Sequence, residues 1–398
     1  MKVPLFDPKP QNRLLTDDLH QAFSDVLESG YFILGSEVER FERNIAEWHG
    51  VNHAIGVSSG TDALLIALMA LQVGPGDEVI LPSFTFFATA GVVHRLGARP
   101  IFADVCPASY QILPSEVERC LSPRTKAVIP VHLFGHSANV EEIRKVIGDR
   151  ETFIVEDVAQ AMGASRSGKK VGSLGDLGCL SFFPTKNLGG FGDGGMVLTC
   201  SDDLAETVKQ LRNHGMFPKY YHRQVGGNFR LDAMQAALLN AKLPQVDSYL
   251  EGRDRHAKRY LEKLVQHPSI SVAVPVDSSN CQVKHNNKQI SIWAPYVCPD
   301  QVPTWNQFTV RIVSFGRGED RRDSLRQWLL EREIGSEIYY PVALHKQECF
   351  RAEGEGVVLP HTECLCEEVL SLPVYPELED SQIDYVIEQI FAWLDKEV

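Results

Sequence analysis

In the first half of the chain, short β-branched runs take turns with helix-length amphipathic or apolar stretches. His53–Val57 reads as a strand, followed by Ser-Ser-Gly-Thr and the helical stretch DALLIALMALQV. Glu78–Pro82 is the next strand, then a helix through Leu96 and the strand RPIFADV. AVIPVHLFG, the helix NVEEIRKVI and the strand TFIVEDVAQ continue the series. Strands that alternate with helices pair in parallel, because each return crossing needs a helix on the sheet face. The expected fold is therefore α/β, a mainly parallel central sheet sandwiched by helices. The helix starting at Asp62 is apolar nearly all round, which predicts a position deep inside.

Beyond this series the pattern changes. LGCLSFF and GGMVLTC read as strands flanking a glycine-rich loop, and SDDLAETVKQLRNHG as a helix with Ser201 at its N-cap and Gly215 at its stop. A long helical stretch begins near Asp232 and is expected to kink at Pro244. Strands near FTVRIV, SEIYYPV and VLSLPV, with helices at RDSLRQWLLER and SQIDYVIEQIFAWL, predict a smaller α+β unit. With 398 residues, the chain is long for one core. We divide it into a large domain, 1–250, and a small C-terminal domain, 251–398, with the first 30 or so residues free to pack on the small one. Residues 275–303 have little periodicity and read as a long loop or excursion.

The formal net charge of −13, with no block of Lys or Arg, argues against nucleic acid or an anionic membrane as main partners. The nine cysteines are scattered without a CxxC pair and read as idle thiols of a reducing compartment. The N-terminus has no apolar signal-like core, and no apolar run reaches the ~20 residues of a membrane span. A cytoplasmic protein is expected.

Ligands of open α/β sheets gather at the carboxyl ends of the strands. After the first strand, Ser58-Ser59-Gly60-Thr61 at a helix N-terminus has the make-up of a phosphate cradle, although a plain N-cap explains it as well. Phe84, after the second strand, has the flat face that a ring would stack on, although core packing is the ordinary role of such a residue. Asp157 ends an apolar strand and needs a cation, either an arginine or a protonated ring nitrogen. Lys186, in SFFPTKN, sits in a small, glycine-flanked stretch where desolvation would favour the free amine that imine chemistry needs. A lone lysine is otherwise a solvated surface charge. The loop Gly190–Gly195 contains GxGxxG, but a strand rather than a helix follows, so a dinucleotide site is not supported. His132 and His136 have no partner at zinc spacing, and no metal is expected.

Each of these motifs is weak alone, but their order is not. Phosphate-type loop, aromatic, buried acid, Ser-x-x-x-x-Lys and glycine loop together resemble fold type I pyridoxal-phosphate enzymes, and more narrowly the DegT/StrS sugar aminotransferases. The matching stretches are GSEVERFE (35–42), SSGTDAL (58–64), GPGDEVILPSFTFFAT (74–89), VEDVAQA (155–161), SFFPTKNLGGFGDGGMV (181–197), RNHG (212–215), GGNFRLDAMQAALL (226–239), IYYPVALHKQECF (338–350) and CEEVLSLPVYPEL (366–378). Residues 275–303 have no counterpart in the pattern.

The resemblance implies a role for each position. Lys186 would hold pyridoxal 5'-phosphate and relay protons. Family dehydratases carry histidine there, so lysine implies transamination. Asp157 would pair with the pyridine nitrogen, Gln160 would bond near the ring oxygen, and Phe84 would stack on the ring. Gly60, Thr61 and Ser181 would hold the phosphate. Asn228 would reach it from a second subunit, implying a homodimer with shared sites. Arg230 would clamp a donor carboxylate or a sugar-nucleotide anion, with a structural ion pair as its alternative. His345 would line the sugar pocket. The implied reaction moves an amine from glutamate or glutamine to a nucleotide-linked keto sugar, giving an amino sugar for a surface polysaccharide or a secondary metabolite. A cyclitol or free keto sugar as acceptor, or a non-catalytic regulatory role, are the alternatives.

Overall fold

The computed structural model describes residues 1–272, 290–314 and 321–397. The large sheet takes β1 (His53–Val57), β2 (Glu78–Pro82), β3 (Arg99–Ala103), β4 (Thr125–Val128) and β5 (Phe153–Asp157). Two short strands follow, β6 (Ser165–Arg166) and β7 (Lys169–Lys170), and then β8 (Leu177–Ser181) and β9 (Gly195–Thr199). Its order is β1-β9-β8-β5-β4-β2-β3. The pairs from β8 through β3 are parallel, and only β9 runs against its neighbours β1 and β8. The carboxyl ends of β1, β2, β5 and β8 therefore share one edge with the start of β9.

The helix Gly60–Ala70 lies against this sheet with Ala63 through Leu68 all buried. No polar stripe is left, because sheet, helices and loops cover it on every side. Burying Leu64, Leu65 and Leu68 contributes roughly 1.5–3 kcal/mol each. Ser59 caps the helix by accepting a hydrogen bond from Asp62 N at 3.0 Å, which fixes where it starts.

The second sheet has the order β10 (Ile270–Val272), β11 (Ile290–Ala294), β13 (Phe308–Ser314) and β14 (Val369–Leu372); between them β12 (Gln301–Val302) pairs instead with β6 of the large domain. The helices Val246–Leu264, Arg321–Leu330 and Asp380–Glu397 cover this sheet around a core that includes Tyr260, Phe308 and Trp393. Val3 bridges to Ile334, and Phe6 meets Tyr375 edge-on, so the first residues pack on this smaller unit.

Four expectations are corrected. The part of 275–303 that lies within the described residues, 290–303, is not an excursion: β11 is a fully buried strand, and β12 ties the small unit to the large one. Residues 275–289 lie outside the described residues. SEIYYPV forms no strand; Glu337 makes one bridge to Ser371, and Pro341 cannot donate to a ladder. The helix Asp202–Arg212 is capped by Ser201 as expected but ends three residues before Gly215. Gly215 serves the turn beyond, at φ +70°, where an added Cβ would strike the Gln224 carbonyl. Pro244 does interrupt the long helix, through a 3₁₀ turn at Leu243–Gln245. Not every thiol is idle either, since Cys106 is disulfide-bonded. Among the described residues, no helix is long and apolar enough to cross a membrane.

Candidate active site

Asp157, the last residue of β5, is anchored on both sides of its backbone. Its N–H donates to the Pro130 carbonyl at 2.9 Å, and its carbonyl accepts from His132 N at 3.0 Å. The side chain is 5% exposed. Thr89 Oγ1 donates to one carboxylate oxygen at 2.9 Å and Ala159 N to the other at 3.2 Å. Burial pushes its pKa above the ordinary carboxylate value, against those two hydrogen bonds and the charges of Lys186 and His132. A carboxylate in this setting is stabilised most by a cation placed against it.

Lys186 lies in the turn after β8, its backbone N–H donating to Phe183 O at 2.8 Å. The side chain is half-buried, and Nζ has no hydrogen-bond or ion-pair partner among the described residues. Desolvation lowers its pKa to about 8, with Asp157 pulling the other way. The two side chains therefore feel each other's charge across the carboxyl edge of the sheet.

A third group closes this corner. Gly60 opens its helix with no room for a side chain: a Cβ there would stand 2.7 Å from Ser181 Cβ. A Cβ on Gly195 would stand 2.3 Å from the Ser59 carbonyl. The helix N-terminus, the end of β8 and the start of β9 are thus in direct contact. The first-turn N–H groups at Gly60 and Thr61 have no intrahelical acceptor, and the Ser181 hydroxyl, which accepts from Phe183 N at 3.3 Å, keeps its proton to donate. Unspent N–H groups, a helix dipole and a hydroxyl make an anion cradle.

The remaining expected residues fare differently. Phe84 is 1% exposed and packed edge-on against Phe134 and Tyr340 in a closed cluster. With both faces covered, it offers no surface to a ring, so stacking by Phe84 is corrected. Phe86, two residues on along the same strand exit, is 56% exposed and 6.2 Å from Tyr340. Gln160 is committed within the protein, its Oε1 accepting from Phe134 N at 2.7 Å and its Nε2 donating to the Tyr340 hydroxyl at 3.0 Å. One Nε2 proton remains for a ligand.

His345 is also corrected. It is buried, with Nδ1 paired to Ser83 Oγ at 2.8 Å and Nε2 to Glu363 at 3.3 Å, so it fastens the 343–346 turn rather than facing a sugar. Arg230 donates to Asn213 Oδ1 at 2.7 Å beside the Asn213–Asn228 bridge, and Asn228 itself is exposed. His132 is held between Glu156 Oε2 at 2.8 Å and Ala138 N at 3.0 Å, leaving neither ring nitrogen for a metal. The glycine loop is pinned from behind by Gln235, which accepts from Phe191 N at 3.0 Å, and by Lys242 Nζ on the Gly189 carbonyl at 2.5 Å.

Sequence reasoning missed Thr89, Tyr340 and Phe86. Thr89 closes the FTFFAT stretch and had a usable signal, a polar residue in an otherwise apolar helix start. Tyr340 had none, because nothing local says that residue 340 returns to residue 160.

This corner fits pyridoxal phosphate. The cradle takes a phosphate, the buried Asp157 carboxylate takes a protonated ring nitrogen, and an unpartnered amine of lowered pKa stands at the third point.

Comparison with known proteins points the same way. A family model described as the DegT/DnrJ/EryC1/StrS aminotransferase family matches residues 14–391. The chain is 41% identical over 392 residues to a pleiotropic regulatory protein of Geobacillus stearothermophilus, covering 98% of each. It is 39% identical to a UDP-N-acetyl-3-dehydro-alpha-D-glucosamine 3-aminotransferase of Acidithiobacillus ferrooxidans, covering 96% of this chain and 95% of that one. The crystal structure of Streptomyces venezuelae DesV, in complex with a ketimine intermediate, superposes with a TM-score of 0.88 at 39% identity, covering 98% of each chain.

Proposed function

The chain belongs to the DegT/DnrJ/EryC1/StrS aminotransferase family, and from that premise we propose that it moves an amino group from glutamate or glutamine to a keto sugar carried on a nucleoside diphosphate. It is an aminotransferase that depends on pyridoxal phosphate. A Lys186 amine unpaired among the described residues and a buried Asp157 carboxylate, near enough to act on each other's charge at the carboxyl edge of the sheet, carry the reading.

When bound, pyridoxal phosphate supplies a carbonyl carbon that takes up and gives back an amino group, and a ring that accepts electron density. The chain does the rest. Gly60 and Thr61, through their N–H groups, and Ser181, through its hydroxyl, hold the phosphate. Asp157, fixed by Thr89 and Ala159, keeps the ring nitrogen protonated. Phe86, exposed at the exit of β2, would rest on the open ring face and keep water from it. Gln160 is oriented by Phe134 N and Tyr340 to donate toward the ring oxygen. Lys186, with a pKa near 8, is partly a free amine at neutral pH. Its Nζ would take a proton from the α-carbon of the amino donor and, when the amine is delivered, give one to the carbon of the acceptor that receives it.

The nucleotide-linked acceptor is supported by the aminotransferase relative, whose substrate name carries a UDP group. A two-fold dimer in which Asn228 of one protomer completes the phosphate cradle of the other is supported by the exposed position of Asn228. Exposed apolar side chains at Tyr31, Phe32, Ile33, Phe183 and Phe191 support it further. Arg230 lies close by as the anion clamp for the donor carboxylate or the diphosphate. The regulatory name of one relative describes that protein; Lys186 and Asp157 are both present here, which favours turnover.

The test is a mass-detected assay of UDP-, dTDP- and GDP-linked keto sugars with glutamate or glutamine as donor. A nucleotide-linked amino sugar is the expected product. Amination of free keto sugars or cyclitols, with none of the nucleotide-linked set, would overturn the acceptor assignment.

A further inference from the structure

The lysine turn is held on both sides by a residue from the small unit. Asn306, just before β13, is 7% exposed. Its Nδ2 donates to the Thr185 carbonyl at 3.4 Å and to Asn187 Oδ1 at 3.1 Å, so it touches both neighbours of Lys186. Asn187 in turn donates to the Met162 carbonyl at 3.2 Å, which ties this contact back into the large domain.

Asn306 is itself fixed. Arg253, a buried cation of the helix Val246–Leu264, donates through Nη1 to the carbonyls of Trp305 at 3.2 Å and Asn306 at 3.3 Å. Thr304 N donates to the Gly135 carbonyl at 3.0 Å, and Gln307 N to the Phe134 carbonyl at 3.4 Å. Residues 304–307 therefore also hold the 133–135 turn, whose Phe134 N–H orients Gln160. The packing leaves no slack. Gly135 sits at φ +94°, and a Cβ there would lie 2.7 Å from Trp305 N and 2.9 Å from Asn306 N. Phe134 and Trp305 both hold positive φ, at 60° and 50°, a conformation that surrounding contacts have to impose.

We propose that residues 304–307 form a positioning junction between the small unit and the site, with Asn306 fixing the turn that aims Lys186 and Gly135 fixing the turn that aims Gln160. Asn306 is a positioning residue, since it acts through Thr185 and Asn187 and does not meet the reacting atoms. The proposal rests on Lys186 being the reactive amine. It adds that the placement of that amine is set from the C-terminal unit.

Three proteins test it: the wild type, Asn306→Ala, which removes the donor, and Asn306→Asp, which keeps the shape but replaces the NH2 with an acceptor. Turnover is measured on the holoenzyme with kcat and KM resolved. Independently, cofactor-free protein is acylated with a small amine reagent across pH, and modification of Lys186 is read by mass spectrometry. Asp157 is the charged group acting on this amine, and it is unchanged in all three.

Both variants are expected to lose roughly ten- to a hundredfold in kcat with KM within about threefold. The Lys186 acylation midpoint should move up from about 8 toward 10.5 as the turn loosens and water reaches the ammonium. A folded variant, by its circular dichroism, with unchanged kcat and unchanged midpoint would overturn the proposal. So would a lowered melting temperature with both readouts unmoved, which marks a purely structural contact. If Asn306→Ala does not fold, the isosteric Asn306→Asp decides on the same readouts. Turnover that persists in Lys186→Ala would sink the functional reading itself, whatever the Asn306 variants do.

Discussion

Lys186 is held in a state that its unfolded chain would not share. Its folded pKa of about 8 lies below the ordinary 10.5, and the chief cause is desolvation. Between those values the unfolded chain binds the extra proton, so stability rises with pH across that window. Below it the half-buried ammonium destabilises the cofactor-free protein. Lys186→Met should therefore raise the melting temperature of cofactor-free protein more at pH 7 than at pH 10, while abolishing turnover; an equal rise at both would place the lysine in water. Asp157→Asn keeps the shape and the Thr89 contact but removes the charge that a ring nitrogen needs. It should lose most of kcat, on the order of a hundredfold or more, with an unfolding transition of cofactor-free protein no lower than wild type; a wild-type rate would mean that another group protonates the ring. Gly60→Ala pushes a methyl into Ser181. A clash of that size costs about 1–3 kcal/mol, roughly a five- to 150-fold loss, and it should show as weaker cofactor retention on dialysis rather than as unfolding.

At the scale of elements, the strands and helices of the large domain were readable because their signals are local. β1, β2 and β3 span the stretches read from apolar runs bounded by turns, and the Ser201 cap and the Pro244 break need only neighbouring residues. Most of the misses share one cause, dependence on distant partners. β11 is buried by β10 and β13, and nothing within Ile290–Ala294 announces those neighbours. Phe84 and Phe86 look alike in sequence, and only the packing of Tyr110, Phe134 and Tyr340 around one of them decides which ring stays free. His345 looked available until Ser83 and Glu363 took both its nitrogens. Lys186 and Asp157 were legible because their chemistry is unusual for strand-end positions in the motif order. Ser201→Ala separates local stability from function: it should lower the unfolding free energy by about 1 kcal/mol and leave kcat alone, since Ser201 follows the end of the antiparallel strand β9, at the sheet edge opposite the site. A change in kcat would mean that this cap is coupled to the far end of its helix.

The whole molecule brings together parts that lie far apart in the chain. In the proposed site the phosphate cradle draws on residues 60, 61 and 181, the acid on 157, the amine on 186, and the brace on that amine on 306. If Asn228 completes the cradle across a two-fold axis, each site needs a wild-type Lys186 in one protomer and a wild-type Asn228 in the other. Mixing inactive Lys186→Ala with an impaired Asn228→Ala variant then restores one intact site per heterodimer. Random reassortment should return about a quarter of wild-type activity, and no recovery would place Asn228 in its own protomer's site. The most direct test of the whole account is borohydride treatment of the yellow holoprotein followed by peptide mapping. The account predicts a phosphopyridoxyl mass on the peptide containing Lys186; the same mass on a peptide with a different lysine, or on none, would contradict it.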